Sequence, residues 1–152
     1  MKIIYTLLLT SLLVVNSTYA QKGKDAALET FGSSSGLLLY NTYLALGTVS
    51  DAYAGECYKA DLVKQLSQEQ INSLELMVTQ YNKLLESGFL TEASDKSFVT
   101  DMVVILGYLK NQAKYLNAYS ESGSAEDTEK YEYNRNEAWT RISKLLGFEE
   151  KQ

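Results

Sequence analysis

The absence of proline is the feature that most constrains the fold of this chain. None of the 152 residues is a proline, and proline interrupts helices because it lacks an amide donor and its ring clashes with the preceding turn. Apolar residues recur at spacings of three and four from residue 37 onward, which is the period of a helix with one buried side. The sequence therefore predicts long, uninterrupted helices.

Residues typical of helix ends divide this region into four helical stretches. A glycine follows the last apolar turn of each stretch, at Gly55, Gly88, Gly123 and Gly147. Glycine is favoured there because it adopts a left-handed backbone without steric cost. Ser94 and Ser124 are typical first caps of the third and fourth helices. Residues 67–70 form a capping-box pattern that could break the second helix, but no Gly or Pro supports a break.

Short connections between amphipathic helices favour antiparallel neighbours. We therefore predict an all-α fold, an antiparallel four-helix up-down-up-down bundle over residues 37–148. The first helix carries apolar residues on almost every side, so we expect it to be the most buried of the four. Gly47 within that helix is expected to mark a close approach of a neighbouring helix.

The first twenty residues have the pattern of a secretory signal peptide. Lys2 supplies a positive start, residues 3–15 are apolar, and the small residues Thr18 and Ala20 form a cleavage site. The apolar run is short for a membrane span, although an uncleaved anchor is the alternative. Gln21, directly after the expected cut, resembles the mature start of exported Bacteroidota proteins. This resemblance predicts a bacterial, exported protein and names no family.

Removal of the signal peptide leaves 13 basic and 19 acidic residues, because only Lys2 of the charged residues is lost, and the net charge becomes −6. Such a charge argues against binding to nucleic acid, which normally needs a basic surface. It also argues against docking on anionic lipid, and no membrane span is expected after cleavage. Residues 21–36 are expected to form a flexible Gly/Ser-rich lead-in, and residues 149–152 a short tail.

The residue types that are missing exclude several chemistries. The chain has no histidine, so Ser-His-Asp and Cys-His catalytic arrangements are excluded, and metal sites lose their commonest ligand. No cofactor motif occurs, and we predict a protein that is not an enzyme. Cys57 is the only cysteine, so no internal disulfide is possible. We expect its side chain to behave as a small, partly buried apolar group.

Asp51 is the most unusual side chain of the first helix, because its neighbours are apolar. A buried carboxylate there would need a partner, and Arg135 on the fourth helix is the first candidate for a buried polar pair or a ligand contact. The alternative is that Asp51 belongs to a solvated stripe with Thr48 and Glu56.

Aromatic side chains are the second candidate feature. Tyrosine and tryptophan offer a broad apolar area with a polar tip, which suits a pocket or a partner surface. The candidates are Tyr43, Tyr53, Tyr108, Tyr115 and Trp139. Alternatively, these rings lie at the edge of the core with their polar atoms in water.

These patterns favour an exported, periplasmic or extracellular helical protein that acts through contacts with another exported or envelope protein. The alternative function is that of a carrier for a small apolar ligand, held in a pocket between the first helix and its neighbours.

Overall fold

The computed structural model contains four α-helices and no strand in the part of the chain that it describes. Side chains are described for residues 22–148, and the backbone is described back to Lys2. The helices are α1 (Lys2–Ala54), α2 (Ala60–Glu86), α3 (Ala93–Ser122) and α4 (Ala125–Leu146). The prediction of an all-α chain with four helices is confirmed, and α2 continues through Ser67 without a break. The predicted tail, 149–152, lies outside the described residues.

The chain divides into two compact units, residues 1–35 and 36–152. The Gly/Ser-rich residues 32–36, expected to be a flexible connection, are instead helical. Thr30 lies just before this segment and Ser34 lies within it. The hydroxyl of each donates a hydrogen bond to a carbonyl one helical turn earlier, at 2.9 Å for Thr30 and 2.7 Å for Ser34. These bonds satisfy both hydroxyls within the helix. The predicted signal peptide, residues 1–20, lies outside the described side chains, and its cleavage stays a prediction.

Helix α3 is the most buried helix of the second unit. It packs against both α2 and α4, and nine of its residues are buried, against three in α2 and five in α4. The expectation that the first helix would be the most buried is wrong. Leu39 and Leu46 of α1 reach the core, but Leu37, Leu38 and Leu44 are exposed.

Contacts across the second unit join the end of one helix to the start of the next. At one end, a small apolar cluster combines residues from the last turns of α1 and α3 with residues from the first turns of α2 and α4; its buried members are Val63, Leu116 and Tyr131. An ion pair joins Lys64 to Glu121 there. The main apolar cluster fills the rest of the unit and includes residues from all four helices.

Three of the four predicted glycine stops adopt the expected conformation. Gly88, Gly123 and Gly147 have φ angles of 73°, 63° and 69°, in the left-handed region that favours glycine. The hydroxyl of Ser124 accepts a hydrogen bond of 3.2 Å from the backbone N–H of Glu126, as expected for a cap. The start of α3 differs from the predicted cap at Ser94. The helix begins at Ala93, and the side chain of the preceding residue, Glu92, makes no capping hydrogen bond.

The end of α1 also differs from the prediction. The left-handed residue is Glu56, with φ 58°, and not Gly55. The backbone N–H of Cys57 donates to the carbonyl of Ala52 at 2.8 Å, and that of Glu56 donates to the carbonyl of Tyr53 at 3.0 Å. This pair of bonds defines a Schellman motif with Glu56 in the position that glycine usually occupies. Cys57 follows in the turn and is exposed, contrary to the expectation of partial burial.

Replacing Glu56 with glycine should stabilise the protein by about 1 kcal/mol, because a residue with a Cβ is strained in the left-handed region. The free energy of unfolding, measured in urea, tests this prediction. The matched control is Glu56→Gln, which removes the same charge without relieving the backbone. Equal stabilities of the two variants would contradict the prediction.

Candidate functional site

Aromatic rings from α1 and α4 meet on one side of the second unit. Tyr40 and Tyr43 lie one turn apart on α1 and therefore point to the same side. The ring of Trp139 in α4 stacks on Tyr43 at 5.3 Å between centroids and lies 6.2 Å from Tyr40. Phe148, just after α4, meets Tyr40 edge-on at 5.8 Å. These separations are typical of favourable aromatic pairs.

Much of this cluster is open to solvent. Trp139 is 37% exposed and Phe148 is 53% exposed. Leu37 and Leu44, three residues before and four residues after Tyr40, are also exposed and lie on the same side of α1. We call the five residues Leu37, Tyr40, Leu44, Trp139 and Phe148 the α1–α4 face. Large apolar side chains exposed together mark interaction sites more often than isolated ones do.

Arg135 lies beside this face. Its guanidinium carbon is 6.0 Å from the centroid of the Tyr43 ring, within the range of a cation–π contact. A nitrogen of the same group lies 3.6 Å from a carboxylate oxygen of Glu132. Partial burial acts to lower the pKa of Arg135, but its hydrogen bond with Tyr43 and nearby groups leave that pKa raised overall. Arg135 therefore remains charged at the edge of the aromatic cluster.

The predicted buried pair of Asp51 and Arg135 is not present. Asp51 is exposed, and the ion pair of Arg135 is formed with Glu132. Thr48 and Glu56 are exposed as well, as the alternative of a solvated stripe requires. Replacement of Asp51 therefore carries no cost of an unpaired buried charge. A ligand contact at Asp51 or Arg135 stays a prediction.

The close helix approach lies at Gly36 and not at Gly47. A Cβ atom added to Gly47 would lie 3.8 Å from Nη2 of Arg135, an ordinary van der Waals distance. A Cβ atom at Gly36 would lie only 2.8 Å from Cδ2 of Leu146. The second unit begins at Gly36, and there α1 contacts the end of α4 at a residue that has no side chain.

The five aromatic candidates from the sequence do not form one surface. Tyr43 and Trp139 are in contact, as described above. Tyr53 lies at the other end of the unit, where its hydroxyl donates to the carbonyl of Ser120 at 3.3 Å. Tyr108 lies under the guanidinium of Arg141 at 5.2 Å. Tyr115 lies 5.5 Å from the ammonium group of Lys130.

Buried polar side chains interrupt the apolar core, which the sequence patterns did not predict. Nε2 of Gln112 donates to the hydroxyl of Tyr131 at 3.3 Å, and both residues are buried. Burial raises the pKa of Tyr131, although hydrogen bonds with Ser50 and Gln112 oppose this effect. Oγ of Ser67 and Oε1 of Gln112 are buried without a hydrogen-bond partner. The sequence offered one sign of this buried polar residue, because Gln112 lies at helical spacing between Leu109 and Leu116 and therefore on the same side of α3.

A cleft between α3 and α4 was also missed. Its volume is about 320 Å³, and its lining residues are Asp101, Ile105, Arg141, Lys144 and Leu145. Ile105 is buried in the main core and Leu145 packs against that core. Three charged side chains therefore surround an apolar floor. The lining residues of α3, Asp101 and Ile105, are far in sequence from those of α4, so only the packing of the two helices brings them together.

Within residues 22–148, no group of three or more acidic or cysteine side chains is placed to hold a metal ion. No described helix combines the length and the hydropathy that crossing a membrane requires. Comparison of the chain with protein-family models, curated proteins and solved structures yields no match. The α1–α4 face and the cleft are therefore the features of the described chain from which a function can be inferred.

Stability at alkaline pH should depend on Tyr131. The unfolded chain releases this proton near the ordinary pKa of 10.0, whereas burial keeps the proton on the folded protein to higher pH. The contribution is therefore complete below pH 10.0 and is lost as the pH rises through the folded-state pKa. Tyr131→Phe should weaken the loss of unfolding free energy that occurs as the pH rises above 10.0.

The matched control for this experiment is Tyr133→Phe, because Tyr133 is an exposed neighbour on the same helix. Its pH dependence should equal that of the unmodified protein. The same alkaline loss of stability in Tyr131→Phe and in the unmodified protein would contradict the prediction.

Proposed function

We propose that this chain is an exported, non-enzymatic protein that acts through contacts with another exported or envelope protein. The observation that carries the proposal is the α1–α4 face, where the exposed apolar side chains of Leu37, Leu44, Trp139 and Phe148 lie around the half-buried ring of Tyr40. Tyrosine and tryptophan are enriched in protein interfaces and often supply most of the binding energy there. Arg135 beside the face adds a charged residue of the type found at such interfaces.

The proposed architecture of the second unit is an antiparallel, up-down-up-down bundle. The ion pair of Lys64 with Glu121 and the 3.6 Å ion pair of Lys110 with Glu75 support opposite directions for α2 and α3. The aromatic contact of Tyr40 with Phe148 supports opposite directions for α4 and the part of α1 in this unit. In such a bundle the α1–α4 face is a continuous strip along two neighbouring helices.

Export is proposed from the sequence of residues 1–20, with its charged start, apolar centre and small residues before Gln21. Export would place the α1–α4 face where it meets other exported or envelope proteins. The negative charge expected after cleavage supports a protein partner over nucleic acid or an anionic lipid surface.

The alternative function, a carrier with an apolar pocket beside the first helix, has less support. Gly47 could have left space for a ligand, but it is buried and faces the guanidinium of Arg135. The cleft with a defined lining lies between α3 and α4 instead. The carrier function gives no reason for the exposed apolar residues of the α1–α4 face, whereas contact with another protein does.

Photo-crosslinking in the producing cells tests the proposed function. A photo-reactive residue replaces Asn136, which is exposed one turn before Trp139. The test variant is Leu37→Ser with Leu44→Ser, which removes apolar surface without touching the core. The matched control is Leu62→Ser with Leu76→Ser on α2, because these leucines are 40% and 61% exposed, against 56% and 45% for the first pair.

We expect one crosslinked protein that is lost in the test variant and retained in the control. A mass spectrum of the recovered chain should show Gln21 as its first residue. Equal recovery with both variants, or no crosslinked protein above background, would contradict the interaction. A recovered chain that still begins at Met1 would contradict the proposed export.

A further inference from the structure

The α3–α4 cleft has charges of both signs that do not neutralise one another. Asp101 lies on the α3 side, and Arg141 and Lys144 lie on the α4 side. No ion pair within 4.0 Å joins the carboxylate to either cation. Opposite charges that line one opening but remain apart leave a gap that a polar ligand can bridge.

Arg141 is held in position from two sides. Its guanidinium carbon lies 5.2 Å from the centroid of the Tyr108 ring on α3. One of its nitrogens lies 3.6 Å from a carboxylate oxygen of Glu137 on α4. That distance is too long for a strong hydrogen bond, so the guanidinium keeps donors available for a carboxylate, which it binds in a two-pronged geometry.

The floor of the cleft is apolar. Ile105 is buried and Leu145 is half-buried, and both contribute to the main core. A ligand with an apolar body would therefore find a contact surface between the charged walls. The volume of about 320 Å³ lies at the small end of the range for ligand sites, which suits a compact molecule.

We propose that this cleft binds a small zwitterion with an apolar side chain, in the manner of a free apolar α-amino acid. The carboxylate of the ligand lies against Arg141 and Lys144, its ammonium group lies against Asp101, and its side chain packs on Leu145, above the buried Ile105. This ligand class uses every residue that lines the cleft. A simple carboxylate would leave Asp101 unpaired, and a simple amine would leave both cations unpaired. The inference does not depend on the α1–α4 face.

Nuclear magnetic resonance titration of the native protein tests the proposal with three related probes. L-phenylalanine carries both charges, 3-phenylpropionate lacks the ammonium group, and phenethylamine lacks the carboxylate. We expect L-phenylalanine to shift the backbone signals around Ile105 and Leu145, with a dissociation constant on the order of 1 mM because the cleft is open. Each singly charged probe should bind roughly two- to fivefold more weakly, the range expected for a partly exposed ion pair.

Variants provide the second arm of the experiment. Arg141→Gln and Asp101→Asn should each weaken binding of L-phenylalanine by roughly two- to fivefold. The matched control is Lys59→Gln, which removes an exposed cation just before α2, at the end of the unit where Lys64 pairs with Glu121. Binding of 3-phenylpropionate or phenethylamine as tight as that of L-phenylalanine would overturn the proposal. So would the absence of shifts at about ten times the expected dissociation constant.

Discussion

Burial of α3 is the constraint on which the rest of the second unit depends. The single cysteine cannot form an internal disulfide, so packing must hold the unit together. Five of the ten buried residues in the main cluster lie on α3, and the other three helices contribute one or two each. Burying a leucine or isoleucine contributes roughly 1.5 to 3 kcal/mol. Burial of side chains on α3 therefore contributes the largest share of this stabilisation.

Only one side of α1 contributes buried leucines to the core of the second unit. Leu39 and Leu46 lie on that side and are buried, whereas Leu37 and Leu44 are exposed. Helical spacing places Leu37 and Leu44 on the same side of α1 as Tyr40, whose ring lies 6.2 Å from that of Trp139. The surface that we propose for protein contacts therefore includes apolar side chains of α1 that the core does not bury.

Helix α4 connects the two candidate sites. Its Trp139 contributes to the α1–α4 face, whereas Arg141 and Leu145 belong to the cleft beside α3. The two sites lie on different sides of one helix and use different chemistry. A protein partner at the α1–α4 face and a zwitterion in the cleft would therefore depend on different residues of α4.

Local features were predictable from the sequence because local physics determines them. Left-handed helix ends at Gly123 and Gly147 follow from the missing side chain, and the cap at Ser124 follows from its hydroxyl. Features set by a neighbouring helix were not predictable. A count of apolar residues did not show that α3 would be the most buried helix, and sequence spacing left two alternatives open for Asp51, a buried pair or a solvated stripe.

The cleft and the buried contact of Gln112 with Tyr131 depend on the register between helices, which no single helix pattern encodes. The left-handed conformation of Glu56 was missed for another reason. Gly55 directly precedes it and offers the more usual residue for that conformation, yet the hydrogen bonds of the turn place the left-handed position one residue later.

Fluorescence of Trp139 gives direct access to the proposed interaction surface, because it is the only tryptophan in the chain. Quenching by acrylamide should be efficient in the isolated protein, since the ring is partly exposed. Addition of the crosslinked partner, purified separately, should protect the ring and reduce the quenching constant. A quenching constant that the partner leaves unchanged would contradict the proposal that proteins bind at the α1–α4 face.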